Sequence, residues 1–141
     1  MRALLLTIVV LVSFAGMSYA TDECQSHVFT RGGTQLEPNL VTVRDVRGYV
    51  DDGNGARIND VVCVRLFKEK TKAFVTSVHT DHDGRYSLST LREGDYRLVV
   101  TYTSFCPISF GVHVRKHAEQ KNVVVHLLPR GIDSCSWSEL K

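Results

Sequence analysis

Residues 80–88, Thr80-Asp81-His82-Asp83-Gly84-Arg85-Tyr86-Ser87-Leu88, are the stretch that decides the fold. Asp83-Gly84 is the strongest short hairpin signal in the chain, because glycine adopts a positive φ at no steric cost. Asp81 is placed to accept hydrogen bonds from amide groups of the turn. Tyr86 and Leu88 alternate with polar neighbours, and this two-residue period is typical of a strand with one buried face. We therefore expect a tight hairpin here, within an all-β domain.

Short strands extend on both sides of this turn. Runs rich in β-branched and aromatic residues, separated by turn signals, predict seven of them. The predicted strands are 41–50, 61–68, 74–80, 85–90, 95–105, 108–115 and 121–128. No window is long enough for a convincing helix. The pattern predicts an all-β fold, a seven-stranded two-sheet sandwich of Greek-key type with irregular ends.

The last two predicted strands indicate which side chains face the core. Apolar residues occupy the even positions of 110–114 and the odd positions of 123–127. Pairing the strands with these faces matched places Val114 opposite Val123. The outward-facing His113 and His126 are then expected on one surface, roughly 7–8 Å apart. With His117 near the turn they are candidate transition-metal ligands, and ordinary surface histidines are the alternative.

The chain begins with the pattern of a secretory signal. Arg2 precedes an apolar run at 3–16, and small residues at Ser18 and Ala20 suit signal peptidase. The apolar run is shorter than the roughly 20 residues that a membrane-spanning helix needs, so no transmembrane anchor is expected after cleavage. We predict a signal peptide at 1–20, an irregular lead-in at 21–40, the sandwich at 41–128 and a tail at 129–141. The predicted location is secreted or periplasmic.

Four cysteines remain after the predicted cleavage: Cys24, Cys63, Cys106 and Cys135. An even number in an oxidising compartment predicts two disulfides, and the sequence leaves all three pairings open. No C-x-x-C spacing is present to suggest a zinc knuckle or a redox site. We expect Cys135 to hold the tail, which carries Trp137, against the sandwich.

The charge balance narrows the classes of function. The chain has 141 residues, 17 Lys+Arg and 15 Asp+Glu, a formal net charge of +2. Such a near-neutral chain lacks the electrostatic footprint of a nucleic-acid binder. Its length fits about one domain rather than a multidomain enzyme. The expected partner is an unidentified protein or glycan.

A family resemblance follows from the motifs around the first turn and the 80–88 stretch. They are Val46-Arg47-Gly48-Tyr49-Val50-Asp51-Asp52-Gly53-Asn54-Gly55, Thr80-Asp81-His82-Asp83-Gly84-Arg85-Tyr86 and Gly94-Asp95-Tyr96. Over about 43 to 128 the chain resembles the carboxypeptidase regulatory-like domain, a β-sandwich of the transthyretin (prealbumin-like) type. The resemblance implies an accessory or interaction module without catalytic activity, because such domains are attached to many different proteins.

Two enzyme families share this architecture, and the sequence departs from both. Intradiol dioxygenases resemble it around the Asp-Gly-x-Tyr turn, but their Tyr and His iron ligands lie in a region that this chain does not contain. Hydroxyisourate hydrolases end in Tyr-Arg-Gly-Ser, whereas this chain has Pro129-Arg130-Gly131-Ile132. No nucleophile elbow, zinc-protease motif or phosphate-binding loop is present. We therefore expect no catalytic residues and no cofactor.

An acidic loop cluster is the first candidate site. If the strands run up and down, the loop with Asp51 and Asp52 lies beside the turn with Asp81 and Asp83. Carboxylates gathered in this way can hold Ca²⁺. The alternative is that Asp residues are there to form turns. A small hydrolytic enzyme with its site at the same loop end is the competing class of function.

The aromatic residues are the second candidate site. Tyr49, Tyr102, Phe105, Phe110 and Trp137 can form a platform on which sugar rings stack. Core packing is the alternative for most of them, and Tyr102 with Trp137 is the pair expected to be exposed.

Overall fold

The computed structural model describes Cys24, residues 34–35, residues 40–131 and Cys135. Within these residues nine strands form two sheets, and the all-β sandwich class is confirmed. The strands are β1 (Thr34–Gln35), β2 (Val41–Val43), β3 (Val46–Asp51), β4 (Cys63–Lys68), β5 (Phe74–His79), β6 (Arg85–Leu88), β7 (Gly94–Thr101), β8 (Ile108–Val114) and β9 (Val123–His126). No helix among the described residues is long and apolar enough to cross a membrane.

The large sheet has the order β1-β8-β7-β4-β5, with β2 also paired to β8, and the small sheet has the order β6-β3-β9. The pairs β4–β5, β4–β7 and β7–β8 are antiparallel, whereas β1 and β2 run parallel to β8. In the small sheet β3 is antiparallel to β6 and parallel to β9. The core lies between the sheets, and its fully buried members include Val50, Val64, Leu66, Tyr96, Leu98, Val100 and Leu127.

The first predicted strand, 41–50, is in fact two strands in different sheets. β2 belongs to the large sheet and β3 to the small sheet. Val43 and Val46 are both fully buried, although their spacing of three would place them on opposite faces of one continuous strand. The chain therefore bends at Arg44 and Asp45 and passes from one sheet to the other. This split and the two-residue β1 explain why nine strands are found where seven were predicted.

The turn at 80–84 is present, but it does not join a hairpin. The Gly84 N–H donates to the Asp81 carbonyl, and the Asp81 N–H donates to the Arg85 carbonyl, at 2.9 Å each. The strands on either side, β5 and β6, belong to different sheets and are not a ladder pair. The hairpin prediction was therefore wrong in this respect. A tight turn is equally suited to carry the chain around the open edge of a sandwich.

The predicted pairing of the last two strands is also wrong. The faces are as expected, since the apolar residues of 110–114 and 123–127 point into the core. However, β8 lies in the large sheet, and β9 pairs with β3 in the small sheet, with Gly48 opposite Val123. Alternation of apolar and polar residues determines which side chains of a strand point into the core, but it does not determine which strand lies next to it.

Gly48 allows a contact across the small sheet. Tyr86 of β6 lies opposite Gly48 of β3, and Val123 of β9 lies on the other side of Gly48. The Tyr86 hydroxyl reaches over β3 and donates a 2.8 Å hydrogen bond to the Val123 carbonyl oxygen. Burial raises the pKa of Tyr86, so the hydroxyl stays a donor. All three strands of the sheet are thereby linked through the one position that has no side chain.

Two disulfides attach the flanks to the sandwich, and both predicted bridges are present. Cys24 pairs with Cys63 at the start of β4, and Cys106 pairs with Cys135. Each bridge therefore joins a flanking cysteine to one in or beside a strand. Trp137, the predicted signal peptide and most of the predicted lead-in lie outside the described residues.

Candidate functional site

The two acidic loops meet at one end of the small sheet, as expected. The Val50 N–H donates to the Gly84 carbonyl at 2.9 Å, and Nη1 of Arg57 donates to the Asp83 carbonyl at 3.2 Å. Asp51, however, is the buried last residue of β3 rather than a loop residue. Its Oδ1 shares a 2.6 Å hydrogen bond with Nδ1 of His126.

The other carboxylates at this end stabilise turns. Oδ1 of Asp52 accepts hydrogen bonds from the N–H groups of Asn54 and Ala56. Oδ1 of Asp81 accepts hydrogen bonds from the N–H groups of Asp83 and Arg85, both at 2.9 Å. Across the described residues no group of three or more His, Cys, Asp or Glu side chains is arranged to hold a metal ion. Calcium binding here stays a prediction, and a calorimetric Ca²⁺ titration with no heat would rule it out.

The histidines expected to form a pair lie on different sheets. His113 is on β8 and shares a 2.6 Å hydrogen bond with Asp95 of β7. His126 is on β9 and contacts Asp51 instead. The expectation that they lie diagonally on one surface was wrong, because it rested on pairing β8 with β9. Each histidine has a separate carboxylate partner on the neighbouring strand.

The aromatic residues of the candidate platform also lie in different parts of the structure. Phe110 is buried in the core. Tyr49 lies on the outer face of the small sheet, where the Arg57 guanidinium covers its ring at 3.6 Å from the centroid. Tyr102 and Phe105 remain together, with ring centroids 5.4 Å apart and planes tilted by 34°. The pair that lies together is thus Tyr102 with Phe105, both half-buried against the core, and Trp137 lies beyond the described residues.

Tyr102 and Phe105 line a groove beside the Cys24–Cys63 disulfide. Its volume is about 560 Å³, which falls within the range of small-ligand pockets. The walls come from the start of β4, the end of β5 and the loop that follows β7. Val61, with 55% of its surface exposed, forms part of the rim. Its lining includes Asp60, Val61, His79, Tyr102, Phe105 and Arg130.

The loop that follows β7 is held rigidly against the chain after β9. The Cys106 N–H donates to the Leu128 carbonyl at 2.9 Å, and the Arg130 N–H donates to the Ser104 carbonyl at 2.8 Å. Ser104 has a φ of +68°, a region that non-glycine residues seldom adopt. Backbone strain of this kind persists only when the surroundings impose it, and it is concentrated at functional sites. The groove wall therefore has a fixed shape.

A hydrogen bond of 2.6 Å from the Tyr102 hydroxyl to Oδ2 of Asp60 fixes the tyrosine ring. This bond, followed by the Val61 N–H, holds the pKa of the Asp60 carboxyl below its usual range. The same bond raises the pKa of the Tyr102 hydroxyl. Both groups therefore keep the protonation states that the bond needs at neutral pH. No local sequence pattern indicates this pair, because its members are 42 positions apart.

Comparison with known proteins identifies the family. The sequence profile of the carboxypeptidase regulatory-like domain matches residues 45–127. No curated protein is detectably similar to the chain. Among solved structures, 3-chlorocatechol 1,2-dioxygenase from Rhodococcus opacus is similar to 74% of this chain and 67% of its own, with 13% identity and a TM-score of 0.39. At that TM-score the likeness carries no argument about chemistry. The profile covers more than half of the chain, which therefore belongs to the carboxypeptidase regulatory-like domain family.

Proposed function

We propose that this chain is an extracytoplasmic, non-catalytic binding module whose partner, a protein or a glycan, occupies the groove beside Tyr102. The observation that carries the proposal is the groove itself. A hydrogen-bonded tyrosine ring, the backbone of Ser104 at a positive φ and the Cys24–Cys63 bridge surround one concave surface of about 560 Å³. A rigid surface of this kind binds with little loss of conformational entropy.

The two disulfides support an oxidising location. Both bridges attach segments outside the sandwich to it, so their stabilising effect depends on a compartment in which thiols stay oxidised. The test is export of the full chain, followed by mass measurement and thiol labelling before and after reduction. We expect a mature chain that starts near Thr21 and thiols that react only after reduction. Retention of residues 1–20, or free thiols in the native protein, would contradict the proposal.

A glycan is the candidate partner that the groove chemistry favours. The tilted Tyr102–Phe105 pair presents apolar ring surface, and the Asp60 carboxylate beside it can accept hydrogen bonds from sugar hydroxyls. Asp60 is committed to Tyr102, which makes it a positioning group for the ring.

The binding test compares two aromatic variants on a glycan array and in capture from the native extracytoplasmic fraction. Tyr102→Ala removes a groove ring, whereas Phe74→Ala removes an aromatic ring of β5 that does not line the groove. We expect Tyr102→Ala alone to abolish binding, with both variants melting as cooperatively as the wild type. Equal binding by the wild type and Tyr102→Ala would show that the groove is not the site.

A further inference from the structure

The outer face of the small sheet is positively charged. Alternation along the strands places the side chains of one parity outside, away from the core. Two arginines, Arg47 of β3 and Arg85 of β6, lie on this face, and Arg57 covers Tyr49 beside them. We call it the arginine face, and its residues are Arg47, Tyr49, Arg57, Arg85, Ser87, Val124 and His126.

The register brings Arg47 and Arg85 close together. Arg47 pairs with Ser87, and Arg85 pairs with Tyr49. The two arginines are therefore diagonal neighbours, whose backbones are roughly 7–8 Å apart in antiparallel sheets. Both line a shallow groove of about 480 Å³, together with Ser87 and Asn122. A hydroxyl and an amide thus lie beside the two guanidinium groups.

Among the described residues these arginines differ from several others in forming no ion pair with a carboxylate. Arg44, Arg97 and Arg115 form ion pairs with Asp45, Glu69 and Asp95. Within the described residues no ion pair joins Arg47, Arg57 or Arg85 to an acidic group. Their charges are therefore available to an anionic ligand.

Three acidic residues lie near this face. Oδ1 of Asp81, which lines the same groove, is engaged by two amide groups of the turn. The Asp51 carboxyl is buried beneath His126, whose side chain is 62% exposed. The Asp83 backbone carbonyl accepts a hydrogen bond from Arg57. Among the described residues, none of these three carboxylates forms an ion pair with Arg47, Arg57 or Arg85.

We propose that the arginine face binds an acidic polysaccharide, with sulfate or carboxylate groups held by Arg47 and Arg85. Guanidinium groups form paired hydrogen bonds with the oxygens of such anions. Ser87 and Asn122, which line the same groove, can form hydrogen bonds with sugar hydroxyl groups between the anions. The groove of the arginine face shares His79 with the Tyr102 groove and none of the other lining residues, so this proposal does not depend on the proposed function.

The test uses the purified full chain and three oligosaccharides of equal length: sulfated dextran, oligogalacturonate and neutral dextran. Affinity is measured by calorimetry at low and high salt. We expect at least one charged oligosaccharide to bind, neutral dextran not to bind, and salt to weaken the interaction because screening reduces charge attraction. The two charged arms distinguish sulfate from carboxylate recognition. Failure of both charged arms would overturn the proposal.

Matched variants locate the binding. Arg47→Gln/Arg85→Gln removes two charges from the arginine face, and Lys70→Gln/Lys116→Gln removes two exposed charges elsewhere. We expect the arginine variant to bind about tenfold more weakly or worse, because two charge-assisted contacts are lost. The lysine variant should bind within about twofold of the wild type, since it keeps those contacts. Equal weakening in both variants would show non-specific charge attraction and overturn the proposal.

Two further outcomes are decisive. A glutamate decapeptide that binds as tightly as the charged oligosaccharides, with the same loss in the arginine variant, would show that the partner is an acidic peptide and not a polysaccharide. The Tyr102→Ala variant tests whether the oligosaccharide binds in the Tyr102 groove instead of on the arginine face. Unchanged affinity in Tyr102→Ala supports a separate site, whereas loss of affinity there would assign the oligosaccharide to the groove and overturn the arginine face.

Discussion

Replacing Gly48 with alanine tests the central contact of the small sheet. A methyl group at this position would overlap the Val123 carbonyl oxygen and lie 2.6 Å from the Val123 carbonyl carbon. Both atoms belong to the backbone, so no side-chain rotation can relieve the overlap. We expect β9 to move away from β3, which breaks the hydrogen bond between Tyr86 and Val123.

The expected loss in the free energy of unfolding has two contributions. Adding a methyl group to a well-packed core costs about 1–3 kcal/mol. Losing the buried Tyr86–Val123 hydrogen bond costs about 1 kcal/mol more. We therefore expect Gly48→Ala to lower the free energy of unfolding by about 2–4 kcal/mol, if the two contributions add.

Urea denaturation followed by circular dichroism measures this difference. Gly111→Ala is the matched control, because its methyl group would meet only the end of the exposed Leu40 side chain. We expect that variant to lie within about 1 kcal/mol of the wild type. In addition, Tyr86→Phe should cost about 1 kcal/mol in the wild type and almost nothing in Gly48→Ala. A Gly48→Ala variant as stable as Gly111→Ala would refute the reasoning.

Three further predictions concern a turn, an ion pair and a disulfide. Asp81→Ala leaves two turn amides without their acceptor, and we expect a loss of about 1–2 kcal/mol, most of which Asp81→Asn restores in thermal melts. The bidentate contact with Arg97 is the largest cause that lowers the pKa of Glu69 below its ordinary value of 4.5. The ion pair therefore stabilises the fold above about pH 4.5, and this stabilisation is lost as the pH falls. The stability difference between wild type and Glu69→Gln should shrink between about pH 7 and pH 3, and a constant difference would contradict this. Removing the Cys24–Cys63 bridge by double serine substitution should cost about 4 kcal/mol, since it closes a 39-residue loop, and an unchanged denaturation midpoint would count against that value.

The sequence allowed the faces of the strands to be predicted, because burial imposes a period of two. The inward-facing positions of β6, β7, β8 and β9 are as expected. The neighbours of each strand did not follow from the same pattern, so the β8–β9 pairing was wrong. One missed signal was present in the sequence. Val43 and Val46 are three positions apart and both apolar, which is incompatible with one half-buried strand.

The site was less predictable than the fold. Tyr102 and Phe105 were recognised as candidates, but Asp60 acquires its role from a contact across 42 positions. The Asp51–His126 contact spans 75 positions. Such pairs depend on how β3, β4, β7 and β9 are ordered in the sheets, and local patterns do not determine that order. For the same reason the sequence left the pairing of the four cysteines open.

The two disulfides also determine how the module responds to mechanical force. Tension applied to the ends of the chain passes through the covalent bridges into Cys63 and Cys106. The loops of 39 and 29 residues that the bridges close therefore bear no load. Only the segment between Cys63 and Cys106 can extend, which limits the gain in contour length on unfolding to about 150 Å at about 3.5 Å per residue. Reduction would release both loops, so the redox state of the surroundings sets the mechanical length of this domain.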